Sequence, residues 1–221
     1  GIVFPQDFVN KESQKILGDK FNVGEGIFVL SDKENNSIPF TKEELELIKP
    51  SYTTKELGRY GADKHNSEWV IYTDSGFKYP KNIKPYPNIK KHLDKFQKVI
   101  TSDNRPYGLH RARDEKFFKG EKIIAVRKCI EPTFTYTDFD CYVSATFYVI
   151  KSERINLKYL TAILNSKLIA FWLKYKGKMQ GNNYQIDKEP LLAIPIYNPS
   201  SKAQQPFITL VDQILAAKKK D

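Results

Sequence analysis

Short runs of β-branched and aromatic residues alternate irregularly with helical stretches, and this order constrains the fold of the chain more than any other feature. We predict strands in six segments: 26–31, 67–73, 121–128, 131–140 (where a turn follows the strand), 141–150 and 191–196. CYVSATFYVI, 141–150, is expected to be a long central strand, and the polar DKENNS, 32–37, predicts a turn. The irregular order predicts a mixed α/β domain of the α+β class, with a largely antiparallel sheet flanked by helices.

Helix signals separate the predicted strands. Thr41 and Glu44 form a capping box at the start of one helix, which Pro50 is expected to end. Pro87 stands at the first position of another helix. The apolar stripe of that second helix consists of Ile89, Leu93, Phe96 and Ile100. A last helix is predicted in QQPFITLVDQILAAKKK, 204–220.

The stretch LKYLTAILNSKLIAFWLKYKG, 157–177, predicts either one long helix or two consecutive helices. Asn156 is placed to begin the stretch, and Ser166 is placed to cap a second helix. The stripe expected to face the core consists of Leu160, Ile163, Leu164, Leu168, Phe171 and Trp172. Gly177 suits the left-handed position that often follows a helix end.

The 221 residues suffice for one large domain or two small ones. No apolar run reaches the roughly 20 residues of a membrane-spanning helix, and the N-terminal GIVFPQDFVN lacks the features of a signal peptide. We therefore expect no membrane partner and a cytoplasmic location, in which Cys129 and Cys141 stay reduced. The chain starts without methionine, as expected of a fragment. A zinc site is disfavoured because no C-x-x-C pair occurs and the histidines are scattered.

Basic residues are concentrated in one quarter of the chain. The formal net charge is +10, and residues 76–128 alone hold 15 Lys and Arg against 5 Asp and Glu, a net of +10. Such a concentration is typical of a polyanion-binding surface, with a solvated face of a lysine-rich protein as the alternative. Arginine favours the first interpretation, because its planar fork binds phosphate or guanine bidentately. The arginines of this segment are Arg105, Arg111, Arg113 and Arg127.

Two polar segments hold the candidate DNA-binding residues. RPYGLHRARDEKFFKGEK, 105–122, mixes basic and aromatic side chains, a combination that suits phosphate anchoring and base-edge contact. KMQGNNYQIDKEPLLAIPI, 178–196, adds amides that can bond adenine; an amide-rich turn that satisfies its own backbone is the alternative. The candidates are Arg105, His110, Arg111, Arg113, Lys116, Lys119, Lys178, Gln180, Asn182, Asn183, Tyr184 and Gln185.

Known catalytic motifs are not recognisable in the sequence. It contains no glycine-rich phosphate loop, no serine-nucleophile elbow and no N-P-P-Y-like loop of a base methyltransferase. Asp138 and Asp140 suggest a nuclease metal site, but the proline-aspartate start of such a site is missing, and a polar turn is favoured. We therefore predict no catalytic residue, no metal and no cofactor in this chain.

Several segments, taken in order, resemble one known family. LKYLTAILNSKLIAFWLK followed by KGKMQGNNYQIDKEPLLAIPI resembles the TaqI-like C-terminal specificity domain. That domain is the target recognition domain of N6-adenine DNA methyltransferases and of fused type IIG (IIS) restriction–modification enzymes. FNVGEGIFVL, ELIKPSYTTKELGRY, WVIYT, YPNIKKHL, RPYGLHRAR and EKIIAVRK follow the family's order upstream. The resemblance covers roughly residues 16–198.

The resemblance implies a target-recognition-domain fold, with DNA recognition in residues 1–205 and the start of a spacer-like C-terminal helix in 206–221. It implies a bacterial module that reads a short sequence in double-stranded DNA. An N-terminal methyltransferase domain of the same parent chain would flip the target adenine and methylate it from S-adenosylmethionine. A parent that also cleaves DNA would carry a further nuclease domain.

Two other functions stay open from the residues alone. The 13% aromatic content favours a single-stranded DNA- or RNA-binding module without sequence specificity. A hydrolase built around Asp138, Asp140 and His110 is the third possibility. Competition between duplex and single strands distinguishes the first two functions, and nicking of plasmid DNA with magnesium would reveal the third.

Overall fold

The computed structural model describes residues 1–218, which divide into two compact units. Unit 1 comprises Gly1–Tyr52, Asn66–Glu115 and Tyr142–Ala145, and unit 2 comprises Thr53–His65, Lys116–Cys141 and residues 146–218. The α-helices of the described residues are α1 Lys11–Leu17, α2 Asp32–Ser37, α3 Lys42–Leu45, α4 Pro87–Asp94, α5 Leu157–Leu164, α6 Lys167–Lys176, α7 Lys188–Leu192 and α8 Ser201–Lys218. The strands are β1 Val29–Ser31, β2 Ile48–Ser51, β3 Tyr60–Gly61, β4 Glu68–Ile71, β5 Lys122–Val126, β6 Lys128–Cys129, β7 Phe134–Thr137, β8 Phe147–Ile150, β9 Lys178–Gln180 and β10 Asn183–Gln185.

The predicted α+β class is confirmed. Unit 1 holds a sheet with the strand order β1–β4–β2, and unit 2 holds two sheets with the orders β3–β7–β5–β8 and β6–β10–β9. Among these pairs only β3 and β7 run parallel, within the part of the chain that the structure describes. The sheet content is therefore largely antiparallel, as the irregular order of elements predicts.

Helix α4 places the predicted apolar stripe in the interior of unit 1. Pro87 stands at its first helical position, where a missing N–H leaves no bond unmade. The four stripe residues are all buried, although the helix ends at Asp94 and the last two lie beyond it. The stripe residues are Ile89, Leu93, Phe96 and Ile100.

A buried carboxylate joins the starts of α3 and α4. Glu44 completes the predicted capping box, because its Oε2 accepts the Thr41 N–H at 2.8 Å. Its Oε1 accepts the N–H groups of Asn88 (2.6 Å) and Ile89 (3.0 Å), which lie in the first turn of α4 and have no partner within the helix. Burial raises the pKa of the Glu44 carboxyl, but the hydrogen bonds from Thr41, Asn88 and Ile89 outweigh it and hold the pKa below its ordinary value.

Two local predictions for unit 1 are wrong. DKENNS, 32–37, forms helix α2 instead of a turn, because Ser31 and Glu34 make a further capping box in front of it. The helix that follows Thr41 ends at Leu45, and Pro50 lies in β2. β2 is an edge strand, where a residue without an N–H is tolerated.

The core of unit 2 forms between the four-stranded sheet and the helices α5 and α6. Ile123 and Phe134 from the sheet pack in one buried cluster with Leu160 and Leu164 of α5 and Ile169 of α6. Helix α8 packs against α5 and β3. The predicted last helix thus begins at Ser201, and its final residues, 219 and 220, lie outside the described part of the chain.

The stretch 157–177 forms two helices, and the break between them changes the buried face. Ser166 caps α6 by accepting the Ile169 N–H. Leu160 and Leu164 are buried as predicted, and Ile163 and Trp172 pack partly buried against the core. Leu168 and Phe171 are 72% and 63% exposed, against the prediction. The new helix starts in a different rotational phase, so Ile169 and Leu173 are buried in their place.

Three further predictions for the C-terminal half are wrong. Only Phe147–Ile150 of the segment 141–150 forms a strand, because Tyr142 and Ser144 bridge to other segments. This strand lies at a sheet edge and not at the centre. The segment 191–196 contains no strand, since α7 extends to Leu192. Gly177 has φ −91°, which is not left-handed; a Cβ there would lie 2.4 Å from the Leu173 carbonyl oxygen, so the position needs glycine for space.

The asparagine of the L-N-S sequence ties α5 to the sheet. Asn165 follows α5 and is 1% exposed. Its Nδ2 donates to the carbonyl oxygens of Phe134 (2.7 Å) and Thr161 (3.0 Å), and its Oδ1 accepts the Phe134 N–H at 3.1 Å. One side chain therefore pairs with both backbone groups of Phe134, as a neighbouring strand would.

Candidate nucleic-acid interface

The segment 102–113 of unit 1, hereafter the arginine loop, is fixed by hydrogen bonds from Asn104 within it and from Thr73, which follows β4. Thr73 donates through Oγ1 to the Tyr107 carbonyl at 2.6 Å, and its carbonyl accepts the Leu109 N–H at 2.9 Å. Within the loop, Asn104 Nδ2 donates to the carbonyls of Leu109 (2.8 Å) and His110 (3.2 Å). These bonds order the backbone of a segment that has almost no regular secondary structure.

The aromatic residue of the arginine loop has a structural role. Tyr107 is buried, and its hydroxyl donates to Asp94 Oδ1 at 2.8 Å at the end of α4. Burial and the hydrogen bond to Asp94 raise the pKa of Tyr107, which keeps the hydroxyl protonated. Gln97 Nε2 donates to the Pro106 carbonyl at 3.1 Å. The loop is thus held against α4 by contacts that leave its arginines outside.

The predicted site residues of unit 1 all lie on this loop. Arg105, Arg111 and Arg113 are exposed, whereas His110 is half-buried with its Nδ1 3.6 Å from Asp103 Oδ2. The side chains of Arg105 and Arg111 have no hydrogen bond or ion pair among residues 1–218. The backbone of Arg111 pairs with Val3 through bonds of 2.9 and 3.1 Å. Ordered backbone with unpaired guanidinium groups is an arrangement suited to binding an anion.

Lys116 and Lys119 belong to unit 2, where both are exposed. Their carbonyl oxygens accept bonds from Lys151 Nζ at 2.8 and 2.7 Å, which holds the turn that carries them. Of the two phenylalanines in this segment, Phe118 is 1% exposed and belongs to the interior, while Phe117 is 45% exposed. The segment therefore presents two lysines and one aromatic ring to solvent.

The amide-rich stretch forms the hairpin of β9 and β10 in unit 2. Gln180 pairs with Asn183, so Gly181 and Asn182 make a two-residue turn. Gly181 has φ +58°, the left-handed value that a type II′ turn places at its first central residue. The predicted site residues that are exposed on this hairpin are Lys178, Gln180, Asn182 and Asn183. The sequence left open whether the amides bond their own backbone; the structure leaves those of the turn facing solvent.

The last two predicted residues of the hairpin face inward. Tyr184 is half-buried and packs against the core of unit 2. Gln185 Nε2 donates to both carboxylate oxygens of Asp187 at 3.1 Å. An amide that is committed to a neighbouring carboxylate is less available to a base than the exposed amides of the turn.

Two members of the basic segment 76–128 are structural. Lys122 is fully buried, and its Nζ donates to the carbonyls of Gly120 and Phe139, both at 2.6 Å. Burial lowers the pKa of Lys122 to about 8. The Arg127 guanidinium stacks 4.9 Å from the centre of the Tyr148 ring. The basic surface therefore holds fewer side chains than the lysines and arginines counted in the sequence. The arginines that remain clustered are the three of the arginine loop.

The sequence did not reveal the residues that fix the arginine loop. Thr73 ends the apolar run WVIYT, and Asn104 stands in SDNRPYG, where a turn residue is ordinary. Their bonds to the loop backbone span 34 residues in one case and five or six in the other. The local signal for Asn104 is an asparagine shortly before a Pro and a Gly; Thr73 has no local signal.

Within residues 1–218 no three His, Cys, Asp or Glu side chains are grouped as metal ligands. None of the helices in that range is long and apolar enough to cross a membrane. Asp138 and Asp140 are exposed in the turn after β7, where Asp140 Oδ1 accepts the Gly120 N–H at 3.4 Å.

Comparisons with known proteins identify the family. Type II methyltransferase M.HincII of Haemophilus influenzae is 33% identical over 88 residues, covering 36% of this chain and 18% of that protein. Type II methyltransferase M.HindII of Haemophilus influenzae (strain ATCC 51907 / DSM 11121 / KW20 / Rd) gives the same identity over 88 residues, 36% of this chain and 17% of that protein. The chain therefore spans less than a fifth of the length of these relatives.

The fold and the family profile agree with these matches. The structure of the type IIL restriction-modification enzyme MmeI in complex with DNA superposes with a TM-score of 0.66 at 15% identity, over 89% of this chain and 27% of that one, which shows a shared fold. The profile of the TaqI-like C-terminal specificity domain matches residues 50–196. The chain belongs to the family of TaqI-like C-terminal specificity domains.

Proposed function

We propose that this chain reads a short sequence in double-stranded DNA as the specificity domain of a restriction–modification enzyme. The observation that carries the proposal is the arginine loop, whose backbone is fixed by Thr73 and Asn104 while its arginines stay exposed. Ordering a loop before binding lowers the entropy lost on binding. Membership of a specificity-domain family, and a fold shared with an enzyme solved in complex with DNA, support the same function.

In this proposal the arginine loop and the hairpin of β9 and β10 contact different groups of the DNA. The guanidinium groups of the arginine loop bind phosphates or guanine edges, because both offer paired acceptors. The exposed amides of Gln180, Asn182 and Asn183 suit the paired donor and acceptor of adenine in the major groove. Lys116, Lys119 and Lys178 add phosphate contacts.

The reaction itself is proposed to take place outside this chain. An N-terminal domain of the parent protein would transfer a methyl group from S-adenosylmethionine to adenine N6, and a type IIG or IIS parent would also cut DNA. The relatives are type II methyltransferases of which this chain matches under a fifth, in keeping with a division between recognition and catalysis. Residues 1–205 would recognise DNA, and the part of α8 from residue 206 onward would begin a spacer.

Arg111→Ala tests the proposal. With a duplex that the chain selects from random sequences, the substitution is expected to weaken binding by about 1–3 kcal/mol if Arg111 contacts a guanine, with relaxed preference at that base pair. If Arg111 contacts a phosphate, the loss is uniform across sequences, and the slope of log affinity against log salt falls by about one. Anisotropy titrations at two salt concentrations distinguish these results.

The matched control is Arg154→Ala, an exposed arginine of unit 2 outside the arginine loop and the hairpin of β9 and β10. It is expected to change affinity much less than Arg111→Ala. Unchanged affinity of Arg111→Ala at both salt concentrations would exclude Arg111 from the interface. A stronger affinity for single strands than for duplex would support the alternative function, an unspecific single-strand binder.

A further inference from the structure

Arg113 has a backbone conformation that its residue type disfavours. Its φ is +73°, in the left-handed region, where the Cβ of an L-residue is crowded. Glycine and asparagine adopt this region more easily. Strained backbone of this kind clusters at functional sites. Arg113 is exposed, so the packing of its side chain does not account for the strain. The position therefore gives a reason to ask what the arginine side chain does.

The surroundings of Arg113 fix both its backbone and its side chain. The Tyr72 hydroxyl donates to the Arg113 carbonyl at 2.7 Å. Burial and the carboxylates of Glu115, Asp114 and Asp74 raise the pKa of Tyr72, so the hydroxyl stays a donor. The Arg113 Nε donates to the Gly1 carbonyl at 3.1 Å.

The bond through Nε leaves the far edge of the guanidinium group available. Nη1 and Nη2 of Arg113 make no hydrogen bond or ion pair within residues 1–218. Because the guanidinium group is planar, holding Nε sets the direction in which both Nη groups point. Arg105 and Arg111 have no such bond, so their side chains keep their rotamer freedom. Arg113 is thus the oriented fork of the arginine loop.

We propose that Arg113 reads a guanine through a bidentate contact to O6 and N7, and that its left-handed backbone is retained because it directs this fork. Two parallel donors of fixed direction match the two acceptors that guanine presents in the major groove. The side chains of Arg105 and Arg111 rotate freely. They suit contacts to phosphates, which carry no sequence information. The inference rests on the proposed DNA recognition and names the base that one residue reads.

Arg113→Lys tests the fork without removing the charge. The affinity of the chain is measured for its selected duplex and for every single base-pair variant of that duplex. The substitution is expected to reduce discrimination at one G·C pair by about 5- to 150-fold, while binding to unrelated duplex and its salt dependence stay as in the wild type. The control Arg154→Lys, an exposed arginine of unit 2, is expected to keep the full discrimination.

Arg113→Asn tests the strain by a second readout. Asparagine tolerates the left-handed region, so the melting temperature is expected to be unchanged or higher while the same discrimination is lost. A clearly lower melting temperature would show that Arg113 has a structural role and would overturn the inference. Full discrimination by Arg113→Lys would also overturn it and leave the proposed function intact. If the wild type discriminates no sequence, both proposals fail.

Discussion

Asn165→Ala is expected to lower the free energy of unfolding of unit 2 by about 3 kcal/mol, because the substitution removes three buried hydrogen bonds. It leaves the N–H and the carbonyl of Phe134 in strand β7 without their partner, at a position that water does not reach. Chemical denaturation of the wild type and the variant, followed by far-ultraviolet circular dichroism, measures the difference.

The control for this prediction is Lys167→Ala, an exposed position two residues along the chain. Surface substitutions of this kind usually change stability by less than about 0.5 kcal/mol. Equal stabilities of the Asn165 and Lys167 variants would contradict the role given to Asn165. The result bears on the L-N-S sequence between α5 and α6, since it would explain the asparagine by its bonds to β7.

Glu44→Gln is expected to lower the free energy of unfolding of unit 1 by about 2–4 kcal/mol at pH 7. Hydrogen bonds to a charged acceptor contribute about 1.5–3 kcal/mol each, and glutamine turns one acceptor oxygen into an NH₂ group that faces N–H donors. Glu43→Gln, an exposed neighbour in the same helix, is the control and is expected to unfold like the wild type.

The same carboxylate predicts a pH dependence. The pKa of Glu44 in the folded protein lies below its unfolded value of 4.5, so the folded state favours the ionised form. Its contribution to stability is complete above pH 4.5 and decreases as the pH falls through the folded pKa. The acid loss of stability in unit 1 is therefore expected to be shallower in Glu44→Gln than in Glu43→Gln. Identical acid slopes in both variants would contradict this account.

Local signals predicted much of the secondary structure. The capping box at Thr41, the first-turn proline at Pro87, the helix start at Asn156 and the cap at Ser166 all appear in the structure as expected. The capping box at Ser31 is equally strong, but DKENNS has no apolar stripe that would indicate a helix. A capping side chain therefore marks a helix start most clearly where an apolar stripe follows it.

Other features depended on contacts that lie far apart in sequence. The apolar pattern alone does not show that α6 starts in a new phase, which exposes Leu168 and Phe171. The edge position of β8 follows from strand pairing that no local run specifies.

The candidate interface was predictable in its residue types and less so in its geometry. The sequence identified the exposed arginines of the arginine loop and the exposed amides of the hairpin turn. It did not show that Lys122 is buried or that Gln185 bonds Asp187, because a charged or polar residue is usually at the surface. The bonds of Thr73 and Asn104 that order the loop also required the structure.

The most direct test of the proposed function is a selection by the 221-residue chain from a pool of random-sequence DNA duplexes, with single strands of the same pool as competitor. Specific recognition predicts that repeated rounds enrich one short consensus in the duplex fraction. Affinity for that consensus should exceed affinity for unrelated duplex by about 10³-fold or more. Retention of duplexes without any enriched sequence, or preferential retention of the single strands, would contradict the central claim that the chain reads a sequence in double-stranded DNA.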